Sequence, residues 1–593
     1  MKIDKGMPRL RFFARLYEQA RNASAERLEE YAKNEAQYHG DDRIDGSSER
    51  ASAVRNITYE IIESEVSSEI PSPKVRARHY SEGRERLAHG IERLCTAVRE
   101  GHPMQEMNDI DERYTYIYGA SVWLVEWESG ISDGAASGGV RISVLSPRDF
   151  FPQPSVYRVE DMEYCFLRFD TTRDELCRRY GITEEAAALA ECEGAAREDD
   201  GAVTVIVCYY RGEDEEICRF AFSGETVLED IEGYYRRRLG GGGYSEVEYP
   251  IADILLSSGG VLAPYTPILR GREIGSTPTR LPYYLPRELP IVIRRNVSME
   301  RTLFGGSDCA AVRPIQQQIN KVESRIMQKL MRAAVTPIIP EDAMISVSNS
   351  VFGQVIRLRP GESAAQYGKV DTTPDISQDV LEAERLYDQA KRIIGISDTY
   401  QGMDMNAGNM SGYARQLQVS QAAGRLESKR RMKNAAYAAI DRLIFRHYLA
   451  FADEPRDLCY RDAWGRRQNV AFNRYDFYRF DAEGERWYID DGYLFFSELG
   501  AASESGREEL WERNLANYRE GTLGQPGEAE TLCLYWQLQE RAHYPYAEEE
   551  AEYFRRKITE ERAGGDAELR PELTEGGHGF DQDRQTSENM AKG

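Results

Sequence analysis

The chain has 593 residues, 41% hydrophobic and 10% aromatic, which is too long for one core and rich enough for several, so roughly three to five modules are expected. Its 76 Lys plus Arg against 100 Asp plus Glu give a formal net charge of −24, which repels nucleic acid unless basic residues are locally concentrated. No run of about 18 apolar residues occurs, and "MKIDKGMPRLRFFARLYEQA" reads as a charged amphipathic helix rather than the apolar core of a signal peptide, so a soluble protein made in a cytoplasm, with no membrane partner, is expected.

Residues 8–37 predict one amphipathic helix, with Leu10, Phe13, Leu16, Tyr17, Leu28 and Tyr31 on its apolar side. Residues 54–66 and 78–100 predict two more, separated by "SSEIPSPKVRAR", whose prolines force an extended passage. From Tyr114 to about Pro290 the period becomes that of strands: "YTYIYGASVWLVEWE", "VRISVLSP", "MEYCFLRFD", "AVTVIVCYYRG" and "EICRFAFSGETVLED". Two short helices, near 172–180 and 183–193, interrupt them, which makes this stretch an α+β module.

Two motifs within that module invite chemistry. "GISDG", residues 130–134, matches G-x-S-x-G and nominates Ser132 as a nucleophile. A nucleophile elbow must join a strand to a helix, and here both flanks read as strands, so the stretch predicts a hairpin loop instead. "YYRRRLGGGGYS", residues 234–245, has arginines and glycines but no phosphate-binding spacing, and predicts a flexible excursion between strands.

Gly305, Gly306, Ser307 and Asp308 supply a stop and an N-cap. From 308 to 332, Val312, Ile315, Ile319, Val322, Ile326 and Leu330 step by three or four, which predicts a rod about 37 Å long. Lys321, Arg325, Lys329 and Arg332 form a cationic stripe beside the apolar one; it is either a solvated face or a face turned to a polyanion. A Pro-broken, β-rich insert follows, then a helix over 377–394 with Val380, Ala383, Tyr387, Ala390 and Ile394 on one face.

"GISDTYQGMDMNAGNMSGYARQLQ" comes next, a glycine- and methionine-rich loop between two long helices. The helix after it runs from about 411 to 450, with Gly424 as the site for a kink. Strand character returns over 457–497 and helical character over 504–562, while 563–593 is acidic with few apolar residues and reads as disordered.

Enzymatic signatures are otherwise missing from the sequence. Its one Gly-Lys pair, Gly368 and Lys369, precedes Val370, so there is no P-loop; the seven histidines form no H-E-x-x-H. Nine cysteines are scattered without a C-x2-C pair, and zinc at Cys208 and Cys218 would need two further ligands that are not close in sequence. No catalytic residue, cofactor or metal is expected.

The order of helix, β-rich insert, helix, flexible loop and very long helix, set in an α+β body and followed by C-terminal helices, resembles the portal (head-to-tail connector) proteins of tailed bacteriophages. "LPIVIRRNVSMERTLFGGSDCAAVRPIQQQINKVESRIMQ" is similar to that family's passage from body to stem, and "MSGYARQLQVSQAAGRLESKRRMKNAAYAAIDRLI" to its long helix. The resemblance covers roughly 10–560 and rests on order and texture rather than on an invariant motif.

The resemblance implies an α+β ring subunit: N-terminal helices and wing over 1–305, a first stem helix over 306–332, a small mixed clip over 333–374 and a second stem helix over 375–395. It implies a tunnel loop over 396–411, a long wing helix with return strands over 412–500, and a helical crown over 501–562 before the tail at 563–593. Gly402, Met403, Asp404, Met405, Asn406 and Asn409 of the loop would face channel DNA, because glycine and methionine tolerate changing contacts with a sliding duplex. Lys321, Arg325, Lys329 and Arg332 would be the stem's contribution. Implied partners are further copies in a ring, usually twelve, double-stranded DNA, a terminase motor, a head-tail adaptor, and capsid and scaffolding proteins at a virion vertex. Rival readings are another structural virion protein, such as a scaffold or tail component, and a serine hydrolase at Ser132.

Overall fold

In the computed structural model the described residues are 7–41, 55–133, 136–190, 202–235, 284–332, 375–395, 412–452, 455–461, 467–481, 486–498, 504–541, most of 544–558, and short strands within 268–273 and 335–371. They form an α+β protein that divides into two compact units. The tail expected over 563–593, the loop over 396–411 and the glycine run after Tyr235 lie outside these residues.

The first stretch, expected as one helix, is two: α1 (Arg9–Ala23) and α2 (Ala25–His39), broken at buried Ser24. The break lets the segments serve separate cores. Phe13, Tyr17 and Ala20 pack on aromatic side chains of a sheet, whereas Tyr31 and Tyr38 pack with Ile62, Tyr116 and Tyr118. Then come α3 (Ile57–Glu65), capped by the Asn56 side chain, β1 (Ser72–Ala77) and α4 (Glu82–Glu100), capped by Ser81.

A second departure follows. Residues 114–118, expected to open a strand, finish α5 (Met104–Tyr118). Their aromatic and β-branched content suits a strand, but Asp111 and Glu112 earlier on α5 receive a buried arginine, Arg294, and Gly119 ends the helix in the left-handed region at φ 86°.

β2 (Ala120–Asp133) and β3 (Ala136–Leu145) pair antiparallel, with a register shift between Glu128 and Ser132. β4 (Phe150–Pro152), β5 (Tyr164–Thr172), α6 (Arg173–Tyr180), α7 (Glu184–Ala188), β6 (Ala202–Arg211), β7 (Ile217–Ser223) and β8 (Thr226–Ile231) follow, the strands forming a five-stranded antiparallel sheet in sequential order. β9 (Ile268–Leu269) pairs with β10 (Arg272–Glu273), and β11 (Ile291–Arg295) returns to β2 to complete a sheet ordered β11-β2-β3.

α8 (Asp308–Arg332) and α9 (Ser377–Ile394) match the expected ranges, with Ser307 Oγ accepting from Ala310 N–H. Between them lie two antiparallel ladders, β12 (Val335–Ile338) with β15 (Gly368–Asp371), and β13 (Ser346–Ser350) with β14 (Gly353–Arg357). α10 (Gly412–Phe451) spans 40 residues and continues through Gly424. β16 (Arg456–Arg461) pairs with β17 (Arg467–Phe472), β18 (Tyr478–Asp481) with β19 (Arg486–Ile489), and β20 (Tyr493–Glu498) pairs with β1.

The largest core gathers the C-terminal half of α10. Tyr437, Ile440, Ile444, Phe445 and Leu449 pack against Ile91 and Leu94 of α4 and Trp123 and Val125 of β2. Each such fully buried side chain contributes about 1.5–3 kcal/mol, so this face anchors α10 independently of its N-terminal turns. In the second unit, α11 (Glu504–Arg519) and α12 (Ala529–Arg541) pack together, with Gln539 Nε2 donating to Trp511 O at 3.4 Å.

Candidate functional site in the two-helix stem and its ionic base

Helices α8 and α9 run antiparallel, since Lys329 near the end of α8 meets Asp379 near the start of α9. Val312, Ile315, Ile319 and Val322 of α8 form one apolar seam with Ala383, Leu386, Ala390 and Ile394 of α9 and with Ile57 and Ile61 of α3. Two amides sit in the seam. Gln316 Oε1 accepts from the Ile57 and Thr58 amides, 3.1 Å each, and its Nε2 donates to Arg55 O at 2.7 Å and to Asn320 Oδ1 at 2.9 Å. These bonds fix α3 across the base of the stem.

Toward the far end the seam opens. Met327, Leu330 and Leu381 are exposed, as is Val380, which sequence periodicity had placed on the packed face where Asp379 is buried instead. An apolar helix end left in water is a surface that association would cover.

The four cations of the stripe fare differently. Arg325 lies 3.4 Å from Asp379 Oδ1, and the Lys329 ammonium hydrogen-bonds the other oxygen of the same carboxylate. Lys321 is exposed, and the side chain of Arg332 lies outside the described residues. The stripe is therefore partly internal: its middle pair clamps α9, and Lys321 faces solvent. The six loop positions, Gly402, Met403, Asp404, Met405, Asn406 and Asn409, lie outside the described residues.

Beneath the stem is a buried ionic cluster that sequence reading missed. The Lys429 ammonium sits 2.7 Å from both Glu65 of α3 and Asp308 of α8. One turn on, Lys433 is 2.9 Å from Glu112 and donates to Glu69 O at 2.6 Å. Arg294 of β11 bonds Asp111 and also Glu112, the latter at 2.7 Å, and Trp123 Nε1 donates to Asp111 at 2.7 Å. A satellite pair, Arg99 and Asp441, stands at 2.6 Å.

Four carboxylates thus face three cations. Burial pushes the Glu65 carboxyl well up, Asp308 adds to the effect, and Lys429 only partly opposes it. Burial also pushes on Glu112, but Arg294 and Lys433 outweigh it and hold that carboxyl down at about 2. The available sequence signal was the spacing of Lys429 and Lys433, four apart on the face that continues into Tyr437 and Ile440.

Ser132 lies on the β2–β3 hairpin, in register with Ser137. The chain there joins strand to strand, so the strand-to-helix turn that a nucleophile elbow needs does not exist at this position. Cys208 and Cys218 are buried free thiols in an aromatic core, and among the described residues no group of three or more His, Cys, Asp or Glu could hold a metal. Among the same residues no helix is long and apolar enough to cross a membrane. No family model matches the chain, and no curated protein matches it in sequence.

Proposed function

We propose that the chain is the subunit of a closed ring of portal type, a conduit for double-stranded DNA without catalytic activity of its own. The observation that carries the reading is the antiparallel pair α8 and α9, which leaves an α+β body, holds small β-ladders between its helices, and is followed by a 40-residue helix returning to the body core. Exposed apolar side chains at the far end of the pair support it further, because neighbouring stems in a ring would cover them.

In this reading the clip strands between the stem helices meet the packaging motor and later the head-tail adaptor, the body contacts capsid and scaffolding proteins, and the loop over 396–411 faces the DNA. The assignment is tested by low-dose imaging and sedimentation of the purified protein. Closed rings with a central hole, twelvefold in the expected case, are the predicted result; monomers alone at micromolar concentration across a range of salt would sink it.

A further inference from the structure

Among the described residues β11 is an edge strand, paired only with β2. Its register, Ile291↔Leu124 through Arg295↔Ala120, is fixed in phase by two flanking bonds: Val125 N–H donates to Pro290 O at 2.9 Å, and Asn296 N–H donates to Gly119 O at 3.0 Å. In an antiparallel ladder, alternate residues turn their main-chain groups to opposite sides. Val292 and Arg294 therefore bond β2, while Ile291, Ile293 and Arg295 turn their main-chain groups to the other edge, where Ile291 is buried and Ile293 and Arg295 are partly exposed. Among the described residues no strand pairs with that outer edge.

The edge borders an open groove of about 310 Å³ whose opposite wall is α10. The helix presents Met432, Ala435 and Ala439 there, and the two alanines are small side chains, while Val159 and Glu160 line the groove beside them. Past the end of β11, Val297 and Met299 are about half exposed and extend the apolar surface. The groove's charged residues are Arg211, Arg295 and Arg442 against Glu160 and Glu288, a local excess of positive charge on a chain of net −24. Arg442 is held at 3.2 Å by Glu288, and Arg295 spends one nitrogen on Tyr157 O at 3.0 Å, which leaves further guanidinium donors for a ligand.

We propose that this groove docks an extended acidic peptide of a partner protein, which adds to β11 as a fourth strand. Main-chain bonds to Ile293 and Arg295 supply affinity irrespective of sequence. Selectivity comes from alternation: apolar side chains of the peptide face the alanines of α10, and carboxylates between them meet the arginines on the rim. The inference does not depend on ring assembly.

The test uses the full chain and three fluorescein-labelled ten-residue peptides: alternating valine and glutamate, alternating valine and lysine, and the valine-glutamate peptide N-methylated on alternate amides. Anisotropy should show saturable binding of the first below about 1 mM, and at least about tenfold weaker binding of the other two. Hydrogen exchange should show the amides of Ile293 and Arg295 gaining protection on binding, with Val292 and Arg294 already protected. Ile293→Pro removes one outward donor and leaves the bonds to β2 in place; Ala435→Glu, at an exposed position, sets a like charge in the groove and serves as the independent variant. Each should weaken binding about tenfold or more. No saturable binding of any peptide, equal binding of the methylated or lysine peptide, or unchanged binding by both variants would overturn the proposal. So would deep protection of Ile293 and Arg295 in the free protein, which would mean that another segment or a second copy of this chain already covers the edge.

Discussion

Lys429 of α10 holds its ammonium 2.7 Å from Asp308, the first residue of α8, and so joins the long helix to the foot of the stem across 121 positions of sequence. Glu65 of α3 completes the contact from the other side, also at 2.7 Å. Removing the cation leaves two buried carboxylates without their counter-charge. Lys429→Met should therefore cost about 3–5 kcal/mol in urea denaturation at pH 7. The loss should shrink as pH falls, because Glu65, pushed up by burial and by Asp308, takes up a proton first. A cost below about 1 kcal/mol, independent of pH, would show that water reaches this site freely.

His447 is fully buried against Tyr235 and Phe451, and its Nδ1 lies 2.7 Å from Leu443 O. Burial lowers its pKa to about 4. A folded-state value below the unfolded one of about 6.5 means stability is fully present above pH 6.5 and is lost as pH falls toward 4, on the order of 3 kcal/mol in all. His447→Phe keeps the aromatic packing and should flatten the stability profile between pH 6.5 and 4. An unchanged slope would assign the acid loss to other groups.

Gly119 and Gly305 are pressed together where α5 ends and the approach to α8 begins. At Gly119 φ is 86°, and a Cβ there would lie 2.4 Å from Gly305 O. Gly119→Ala should cost at least about 2 kcal/mol by thermal unfolding, because both backbone conformation and space oppose the methyl group. Gly90, inside α4 with open space around it, is the contrast; Gly90→Ala should gain about 0.5–1 kcal/mol.

The helices α8 and α9 were legible in sequence because their signals are local. Val312 to Val322 step by three or four behind Ser307, and Gly395 closes α9 in the left-handed region. The ends of α5 and the break at Ser24 were not legible, since each is decided by a distant partner. Arg294 draws Asp111 and Glu112 into a helix from more than 180 positions away, and two separate aromatic cores divide the first helix. The ionic base was hidden for a related reason: a lysine on a helix reads as solvated until tertiary structure brings carboxylates over it. The cationic stripe, read from spacing alone, concealed that Arg325 and Lys329 share Asp379.

That sharing separates the stripe's members experimentally. Arg325→Glu with Lys329→Glu sets three carboxylates together at Asp379 and should loosen the helix pair by about 1–2 kcal/mol. Lys321→Glu, on an exposed face, should change stability by no more than about 0.5 kcal/mol. If the stem lines a DNA channel, Lys321→Glu alone should reduce DNA retention by assembled rings. Full retention by that stable variant would leave Lys321 as a solvated side chain.

The loop over 396–411 carries the last prediction. Deleting 402–410 should spare soluble expression, because α9 is held by α8 and α3 and the C-terminal half of α10 by α4 and β2, none of which needs the loop. DNA translocation or retention should fail, since Gly402, Met403, Met405 and Asn406 are proposed to follow a moving duplex with pliable contacts rather than to hold subunits together. A cysteine introduced by Asn406→Cys should react with maleimide in empty rings and be shielded once DNA fills the channel. Equal labelling in both states, together with normal packaging by the deletion, would reduce the segment to a connection between two helices.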